Sequence, residues 1–351
     1  MKRITIFLFV LFVFTDNQAQ NNPKKYTIRT VAFYNLENLF DTINNPNTND
    51  ESSPIMKIKG DKTVVYWNKI NNLATVISKI GLEKSNTSPA IIGVVEVENR
   101  TVLEDLITSK FLKEKGYEII HYQSPDKRGI DVALLYQKRY FKPVYHEAFN
   151  PRIYQNNRKV HTRDQLLVSG YLDDELIHII VNHWPSRRGG VAKSRPLREK
   201  AAYQNTKIMQ QIRRADADAK IIIMGDFNDD PTNTSLKKVL KTKGSKTKVQ
   251  EGDLYNPFER LFKQGLNTSG YRDNINLFDQ ILLTSSLLNV KEKEVPSFKF
   301  FRANIFNKHF LITKKGRYKG YPFRSFSYGR YIGGYSDHYP VYVYLIKEVS
   351  E

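Results

Sequence analysis

The sequence predicts an α/β protein in which strands alternate with helices and with other strands to form one or two mixed sheets. Three observations support this class. Apolar runs of strand length alternate with longer segments of helical spacing, the runs are rich in Val, Ile and Tyr, and 40% of the 351 residues are hydrophobic while 26% are charged. No segment has the composition of an interdomain linker, so we expect residues 20–351 to form a single domain.

Eight apolar segments have the length and composition of β-strands. In chain order they are residues 27–33, 90–97, 130–136, 165–172, 176–181, 220–224, 278–283 and 341–346. Helical spacing is clearest in residues 68–80, where Ile70, Leu73 and Ile77 fall on one face, and in residues 198–214. Two polar segments, 44–53 and 241–252, are expected to be surface loops.

Composition narrows the possible chemistry. The chain has no cysteine, which excludes a thiol nucleophile, a disulfide scaffold and a cysteine-based zinc site. Any metal must therefore be held mainly by oxygen or imidazole. The 55 Lys+Arg against 36 Asp+Glu leave a formal charge of +19, which attracts polyanions such as nucleic acid, anionic lipid or acidic glycan. The total charge does not distinguish among these partners.

Residues 1–19 have the order of a secretory signal peptide. Lys2 and Arg3 precede an apolar run over residues 4–14, and a short polar stretch then ends at Ala19. The apolar run is much shorter than the roughly 20 residues that a transmembrane helix needs. We therefore expect cleavage after Ala19, no stable membrane anchor, and a secreted or periplasmic mature protein.

Polar side chains suited to catalysis or metal binding lie at the ends of most predicted strands. They are Asn35, Glu37, Glu96, His183, Asp226, Asn228, Asp279, Asp337 and His338. Each has an ordinary structural explanation when taken alone, since Asp and Asn are common in turns and histidines are often structural. Strand ends and the loops that follow them, however, converge on one rim of an α/β sheet. Their recurrence at successive strand ends predicts one shared site.

On these residues the sequence resembles the endonuclease/exonuclease/phosphatase superfamily, which includes DNase I, abasic-site endonucleases, sphingomyelinases and inositol polyphosphate 5-phosphatases. Six segments in the family's order carry the resemblance, namely residues 33–37, 93–96, 182–184, 225–228, 278–279 and 336–340. Gly225-Asp-Phe-Asn228 and Ser336-Asp-His-Tyr-Pro340 are the most specific. The resemblance implies a secreted bacterial member with a DNase I-like fold, a four-layer α/β sandwich of two mixed, mainly antiparallel sheets packed face to face with helices outside.

The resemblance also implies a metal site. Glu96 would be the principal carboxylate ligand of Mg²⁺ or Mn²⁺, with Ca²⁺ as a further candidate. Asn35, Glu37 and Asp337 would lie beside it and complete a set of hard oxygen donors suited to such ions.

The remaining strand-end residues take catalytic roles by the same resemblance. Asp226 would orient or deprotonate the attacking water, and Asn228 would hold a phosphate oxygen. His338, oriented by Asp279, would face the scissile phosphate, and His183 would donate a hydrogen bond to it. A phosphodiester hydrolase needs a positioned water, a base and positive charge for the transition state, and this set provides them together with the metal.

Basic residues near these motifs predict where substrate binds. Arg187, Arg188 and Arg195 follow the His183 strand in an arginine-rich insertion and are expected to bind phosphates. A second stretch, residues 314–331, interleaves basic with aromatic residues that could stack on bases, unless it is a solvated loop whose aromatics belong to the core. Asp131 occupies a position whose role varies among branches of the family, so it lies either within the substrate site or outside it.

The leading hypothesis is a secreted, metal-dependent nuclease that acts as a monomer on DNA, with RNA as a further substrate. An alternative keeps the catalytic centre and hydrolyses a phospholipid, as sphingomyelinase-like relatives do, or a small phosphate ester; exposed apolar hairpins at residues 298–301 and 305–306 would favour a lipid. A third hypothesis is a non-catalytic polyanion-binding protein. Retention of every acid and imidazole argues against it, because adhesion does not require them.

Overall fold

A computed structural model describes residues 25–271, 274–288 and 296–349. The predicted signal peptide, residues 1–19, lies outside this described part of the chain. Within the described part, no helix combines the length and the apolar character that crossing a bilayer requires.

The strands, in chain order, are β1 (Tyr26–Leu39), β2 (Ile91–Val97), β3 (Tyr117–His121), β4 (Asp131–Gln137), β5 (Phe141–Phe149), β6 (Tyr154–Gln155), β7 (Arg158–Lys159), β8 (Gln165–Leu172), β9 (Glu175–His183), β10 (Ile221–Asp226), β11 (Leu254–Tyr255), β12 (Ser269–Tyr271), β13 (Asn274–Asn276), β14 (Asp279–Thr284), β15 (Lys299–Ile305), β16 (Phe326–Ser327), β17 (Arg330–Tyr331) and β18 (Val341–Glu348). The α-helices are α1 (Pro54–Lys57), α2 (Lys62–Lys79), α3 (Leu82–Ser85), α4 (Arg100–Thr108), α5 (Val191–Ala215) and α6 (Phe258–Lys263). Short 3₁₀ turns occur at Asp50–Ser52, Lys113–Lys115, Lys246–Lys248, Ser285–Leu287 and His309–Leu311, and a π-helical turn occurs at Ser235–Val239.

Two six-stranded sheets form the centre of the molecule. The first has the order β15-β18-β1-β2-β4-β3 and the second has the order β11-β14-β10-β9-β8-β5. Each sheet contains one parallel pair, β1 with β2 and β9 with β10, and its other pairs are antiparallel. Both sheets are therefore mixed and mainly antiparallel, which confirms the predicted fold class.

Strand alternation packs these sheets into layers. In β1, Val31 and Phe33 belong to the core between the two sheets, whereas Ala32 and Tyr34 belong to the core that the first sheet shares with α2 and α4. The second sheet alternates in the same way, and its outer face packs against α5. Successive side chains of a strand point to opposite faces, so apolar residues at every position give two buried faces. The resulting layers are helices, sheet, sheet and helices.

The eight predicted strands and both predicted helices are present, with two differences of substance. The predicted helix over residues 198–214 begins earlier, at Val191, so half of the arginine-rich insertion is helical and Pro196 lies inside the helix. Sequence reasoning missed β3, β5 and β15, which lie at the outer edges of the sheets. An edge strand is half solvated and carries mixed side chains, so it lacks a continuous apolar run.

Candidate active site

The register of the second sheet gathers three predicted site residues. Asp226 at the end of β10 pairs with His183 on β9 and with Asp279 on β14, which places them side by side on neighbouring strands. Asn35 near the end of β1, in the other sheet, donates from Nδ2 to Asp226 Oδ2 at 3.2 Å. The site therefore lies where the ends of both sheets meet.

An irregularity in the first sheet shapes the metal side of the site. Between two regular pairs of β1 and β2, residues 36–38 oppose the single residue Glu96. Glu37, Asn38 and Glu96 have positive φ angles of 48°, 48° and 61°, a region that side chains other than glycine rarely adopt. The Asn38 amide donates to Glu96 Oε2 at 3.0 Å. Strained backbone of this kind persists only where the surroundings fix it, and it is concentrated at functional sites.

His338 and Asp279 form a tight pair. His338 lies in the loop before β18, and its Nδ1 is 2.7 Å from Asp279 Oδ2. Burial alone would lower the pKa of the His338 imidazole, but the Asp279 carboxylate raises it well above the usual 6.5. His338 is therefore an imidazolium at neutral pH. Its Nε2 lies 4.0 Å from Asp226 Oδ2.

Asp226 has the properties of a general base. Burial raises the pKa of its carboxyl to about 7, and the nearby positive charge of His338 opposes that rise. Its Oδ1 accepts a hydrogen bond from the Asn228 amide at 2.9 Å. A carboxylate whose pKa lies near the working pH is poised to take a proton from water.

His183 stays neutral beside these groups. Burial lowers the pKa of its imidazole well below 6.5, and the charge of Arg163 adds to this effect. Its Nε2 lies 3.6 Å from Asp226 Oδ2 and 3.8 Å from Glu96 Oε1. Its Nδ1 is buried and has no hydrogen-bond partner among the described residues. A neutral ring protonated on Nε2 therefore directs its donor towards the centre of the site.

The donor set around Glu96 fits a divalent cation. The side chains of Glu96 and Asp337 are 15% and 32% exposed, and one oxygen of each accepts no hydrogen bond from a described residue. The side-chain oxygen of Asn35, Oδ1, retains a second lone pair after accepting from the Glu37 backbone amide. Open carboxylate and amide oxygens are the donors that Mg²⁺, Mn²⁺ and Ca²⁺ prefer.

A second group of possible metal donors overlaps the catalytic pair. Asp226, Asp279 and His338 each offer a ligand atom, and these atoms lie within 4.8 Å of one another. The hydrogen bond between His338 and Asp279, together with the raised pKa of His338, leaves the imidazole protonated. A protonated ring nitrogen has no lone pair for a metal, so with the pair in this form the open oxygens of Glu96 and Asp337 are the donors that remain available.

Glu37, predicted as a metal ligand, has both oxygens engaged. Its Oε2 accepts from the Ser325 amide at 2.6 Å and its Oε1 accepts from Arg324 Nε at 3.3 Å. Burial and the charge of Asp337 raise the pKa of this carboxyl to about 7. Arg324 also donates to Asp337 Oδ2 at 3.0 Å. This geometry favours a positioning role for Glu37 over direct ligation.

Lys69 is a site residue that sequence reasoning missed. It is 1% exposed and donates to Ser325 Oγ at 2.7 Å. Burial lowers the pKa of its ammonium, while the charges of Glu37, Asp337 and Glu96 oppose that effect. The available signal was a lysine on the apolar face of α2, between Tyr66 and Leu73.

The prediction that Arg187 binds substrate gains no support from its contacts. Its Nε donates to the Asn228 carbonyl at 2.9 Å, and its Nη2 donates to Asp230 Oδ2 at 2.9 Å. The guanidinium also lies 4.5 Å from the centre of the Phe278 ring. Because the protein itself satisfies these donors, Arg187 supports the loop after β10. Arg188 and Arg195, in contrast, are exposed.

Asp131 also lies outside the substrate site. It is fully buried, its Oδ2 lies 2.9 Å from His121 Nε2, and its Oδ1 accepts from the Ser124 amide at 2.7 Å. It pairs with Val97 directly after Glu96. Asp131 therefore fixes the end of β2 and cannot touch a substrate directly.

Asn228 retains donor capacity for a phosphate. It has a φ of 49° in the turn after β10, and its Nδ2 donates one hydrogen bond to the Trp184 carbonyl at 3.1 Å. An amide nitrogen carries two hydrogens, so one remains for a ligand.

Comparison with known proteins shows which family the sequence matches and which solved structures have a similar fold. A family model described as the endonuclease/exonuclease/phosphatase family matches residues 30–347. No curated protein matches the sequence. Three solved structures share the fold: D. rerio TDP2 complexed with single strand DNA product (14% identity, 91% of this chain and 99% of that chain, TM-score 0.52), a mannosyl-6-phosphatase of Bacteroides thetaiotaomicron (17%, 90% and 99%, TM-score 0.53), and the human Nocturnin catalytic domain with bound sulfate (15%, 92% and 97%, TM-score 0.51).

Proposed function

Because the chain belongs to the endonuclease/exonuclease/phosphatase family, we propose that this phosphoester hydrolase is a divalent-metal-dependent phosphodiesterase, and more narrowly a nuclease that hydrolyses DNA and also RNA. The observation that carries the proposal is the convergence of His183 Nε2 and His338 Nε2 within 4.0 Å of Asp226 Oδ2, beside the open Oε1 of Glu96. A general base (Asp226), a cationic side chain (His338) and oxygen donors for a metal (around Glu96) then lie together.

Each side chain has a defined task in hydrolysis. A divalent ion held by Glu96, Asp337 and Asn35 would supply positive charge for the phosphate when bound. Asp226 accepts a proton from the attacking water, which its pKa of about 7 permits near neutral pH. The imidazolium of His338 donates from Nε2 to a phosphate oxygen and offsets charge that develops in the transition state.

Charge placement supports a polyanionic substrate. Arg188 and Arg195 are exposed on the segment that follows the catalytic His183. Lys314, Lys315 and Arg330 are exposed in the stretch that precedes Asp337. Exposed cations on the segments that adjoin the site residues in the chain attract a chain of phosphates more strongly than they attract a single small ester.

A lipid substrate receives less support. The apolar segments that would favour it are mostly buried, since Phe298 is fully covered and Phe306 is 3% exposed; Phe301 alone is prominent, at 47%. A small phosphate ester remains the second candidate, because the mannosyl-6-phosphatase neighbour shares this fold. Binding without catalysis gains no support from a buried His338–Asp279 pair, which an adhesive surface does not need.

The decisive experiment compares substrates under one set of conditions. The chain from residue 20 onward is incubated with plasmid DNA, RNA, sphingomyelin, mannose 6-phosphate and bis(p-nitrophenyl) phosphate, with Mg²⁺ or with a chelator. We expect metal-dependent hydrolysis of the nucleic acids and of the chromogenic diester. His338→Ala should lose at least about a hundredfold in turnover, while His309→Ala, which changes an exposed histidine on a 3₁₀ turn, should stay active. Hydrolysis of lipid with intact nucleic acid would contradict the proposal.

Secretion and a monomeric state belong to the same proposal. Residues 1–19 carry the order of a signal peptide, so the exported chain should begin at Gln20. Mass spectrometry of the exported protein checks this, and light scattering at working concentration checks the monomer. Full-length protein retained in the cytoplasm would contradict the export proposal without affecting the catalytic one.

A further inference from the structure

A cavity of about 760 Å³ opens directly beside the catalytic site. Glu37 and Asp337 contribute to its lining, so it is continuous with the acids of the metal site. Four tyrosines share the same cavity: Tyr271, Tyr318, Tyr321 and Tyr328. The proposed chemistry does not use any of them.

The aromatic wall is fixed to the catalytic machinery. The backbone of Ser269 on β12 forms a bridge with His338, and the Tyr339 amide donates to the Thr268 carbonyl at 2.7 Å. Gly270 follows, and a Cβ at this position would overlap the ring of Tyr321. The missing side chain thus lets Tyr321 lie against β12. A ligand bound to these tyrosines would therefore be held at a fixed position relative to His338.

The tyrosines present aromatic surface to solvent. Tyr271 is 64% exposed and Tyr328 is 86% exposed. Tyr318 lies 5.8 Å from Tyr321 between ring centres, and its hydroxyl is 3.2 Å from that of Tyr328. Exposed rings grouped in this way are suited to stacking on another planar group.

The charge of the cavity selects the kind of planar ligand. Lys57, Arg317 and Arg324 line it, and Glu37 and Asp337 are the only acids among its described lining residues. Arg324 forms ion pairs with both acids, so Lys57 and Arg317 give the remainder of the cavity its positive charge. A ligand that combines planar rings with a series of negative charges is a strand of nucleic acid, whereas a phosphorylated sugar offers a single phosphate and no aromatic ring.

We propose that this cavity binds one unpaired nucleobase next to the scissile phosphate, so that the enzyme acts on single-stranded nucleic acid in preference to intact duplex. The inference rests on the proposed nuclease function. A base in a duplex is already stacked and paired, and exposing it costs a few kcal/mol. A single strand offers its bases without that cost, so the tyrosines favour it.

The test uses two single strands of equal length and charge, a thymidine 12-mer and a 12-mer of abasic tetrahydrofuran phosphodiesters, together with the thymidine strand annealed to its complement. Affinities are measured by fluorescence anisotropy in chelator, and kcat/KM is measured with Mg²⁺. Wild type should favour the thymidine strand over the abasic strand by about tenfold or more, as expected for one stacked base. Tyr321→Ala and, separately, Tyr271→Ala should remove this preference through KM. Tyr171→Ala is the control, because Tyr171 is 42% exposed on β8 near the start of β9, away from His183.

The outcomes separate this inference from the proposed function. Equal binding of the two strands, or an unchanged preference in both tyrosine variants, would overturn the base-binding cavity even if the abasic strand is cleaved and the nuclease proposal stands. Preference for duplex would overturn it as well. Binding of thymidine over abasic strand without any cleavage would support the cavity and remove the nuclease proposal. Turnover of a hexose 6-phosphate with neither strand bound would overturn both.

Discussion

Asp279→Asn isolates the charge that holds His338 in its cationic form. The substitution keeps the size of the side chain and removes the negative charge of the Asp279 carboxylate, whose Oδ2 lies 2.7 Å from His338 Nδ1. A buried hydrogen bond to a charged group contributes about 1.5–3 kcal/mol. Since one pKa unit corresponds to about 1.4 kcal/mol, the pKa of His338 should fall by about 1–2 units. At a pH above the lowered pKa, loss of the imidazolium should reduce kcat by about a hundredfold or more.

Two measurements check this chain of reasoning. NMR titration of the His338 ring gives its pKa in both proteins, and kcat against pH should show an alkaline limb that moves to lower pH in the variant. The double variant Asp279→Asn with His338→Ala should be little worse than His338→Ala alone, because the pair acts as one unit. An unchanged pKa of His338, or losses that add in the double variant, would refute a role of Asp279 through His338.

Three further predictions concern the surroundings of the site. Burial raises the pKa of Glu98 to about 7. A raised carboxyl pKa contributes stability at low pH, and that contribution is lost as pH rises from about 4.5 to 7. The free energy of unfolding of Glu98→Gln in urea should therefore exceed that of wild type by about 2–3 kcal/mol at pH 8 and equal it at pH 4. Equal stabilities at both pH values would contradict this. Arg187→Ala should lower the melting temperature. Arg188→Ala should leave the melting temperature unchanged and flatten the dependence of DNA affinity on salt. A flatter salt dependence in Arg187→Ala, with an unchanged melting temperature, would restore Arg187 as a substrate residue. Gly225→Ala should destabilise the protein by about 1–3 kcal/mol in the same unfolding assay, because the added Cβ overlaps the backbone of Asn182, and an unchanged midpoint would contradict that packing.

The sequence predicted the interior strands because both of their faces are buried. Runs such as Ile221-Ile-Ile-Met224 on β10 are apolar at every position, and the bounds of that strand hold to within two residues. Strand β1, in contrast, ends at Leu39, six residues after its predicted end. The edge strand β5 (Phe141–Phe149) escaped prediction because the pairs Lys142-Pro143 and His146-Glu147 interrupt its apolar residues and its side chains are mostly exposed or half-buried. The start of α5 escaped because Gly189, Gly190 and Pro196 are all residues that commonly end or interrupt helices.

The site was predictable at the level of position and less so at the level of partners. Strand ends identified the polar residues, since the loops there converge on one rim. Contacts between side chains that are far apart in the sequence could not be predicted in the same way. Lys69 meets Ser325 across 256 positions, and Arg187 meets Asp230 across 43. Such contacts depend on the packing of the helices and loops around the sheets, so the exposed Arg188 and the internally bonded Arg187 look identical in sequence.

The most direct test of the central claim is hydrolysis of bis(p-nitrophenyl) phosphate by wild type and by Glu96→Gln, with Mg²⁺ titrated from zero and isothermal calorimetry following ion binding to each protein. Glu96 carries an open oxygen at the strained end of β2, 3.8 Å from His183 Nε2. We expect saturable activation of wild type and loss of its activity in chelator. In Glu96→Gln we expect weaker ion binding and at least about a hundredfold lower turnover. Full activity in chelator, or unchanged ion binding and turnover in the variant, would contradict the central claim.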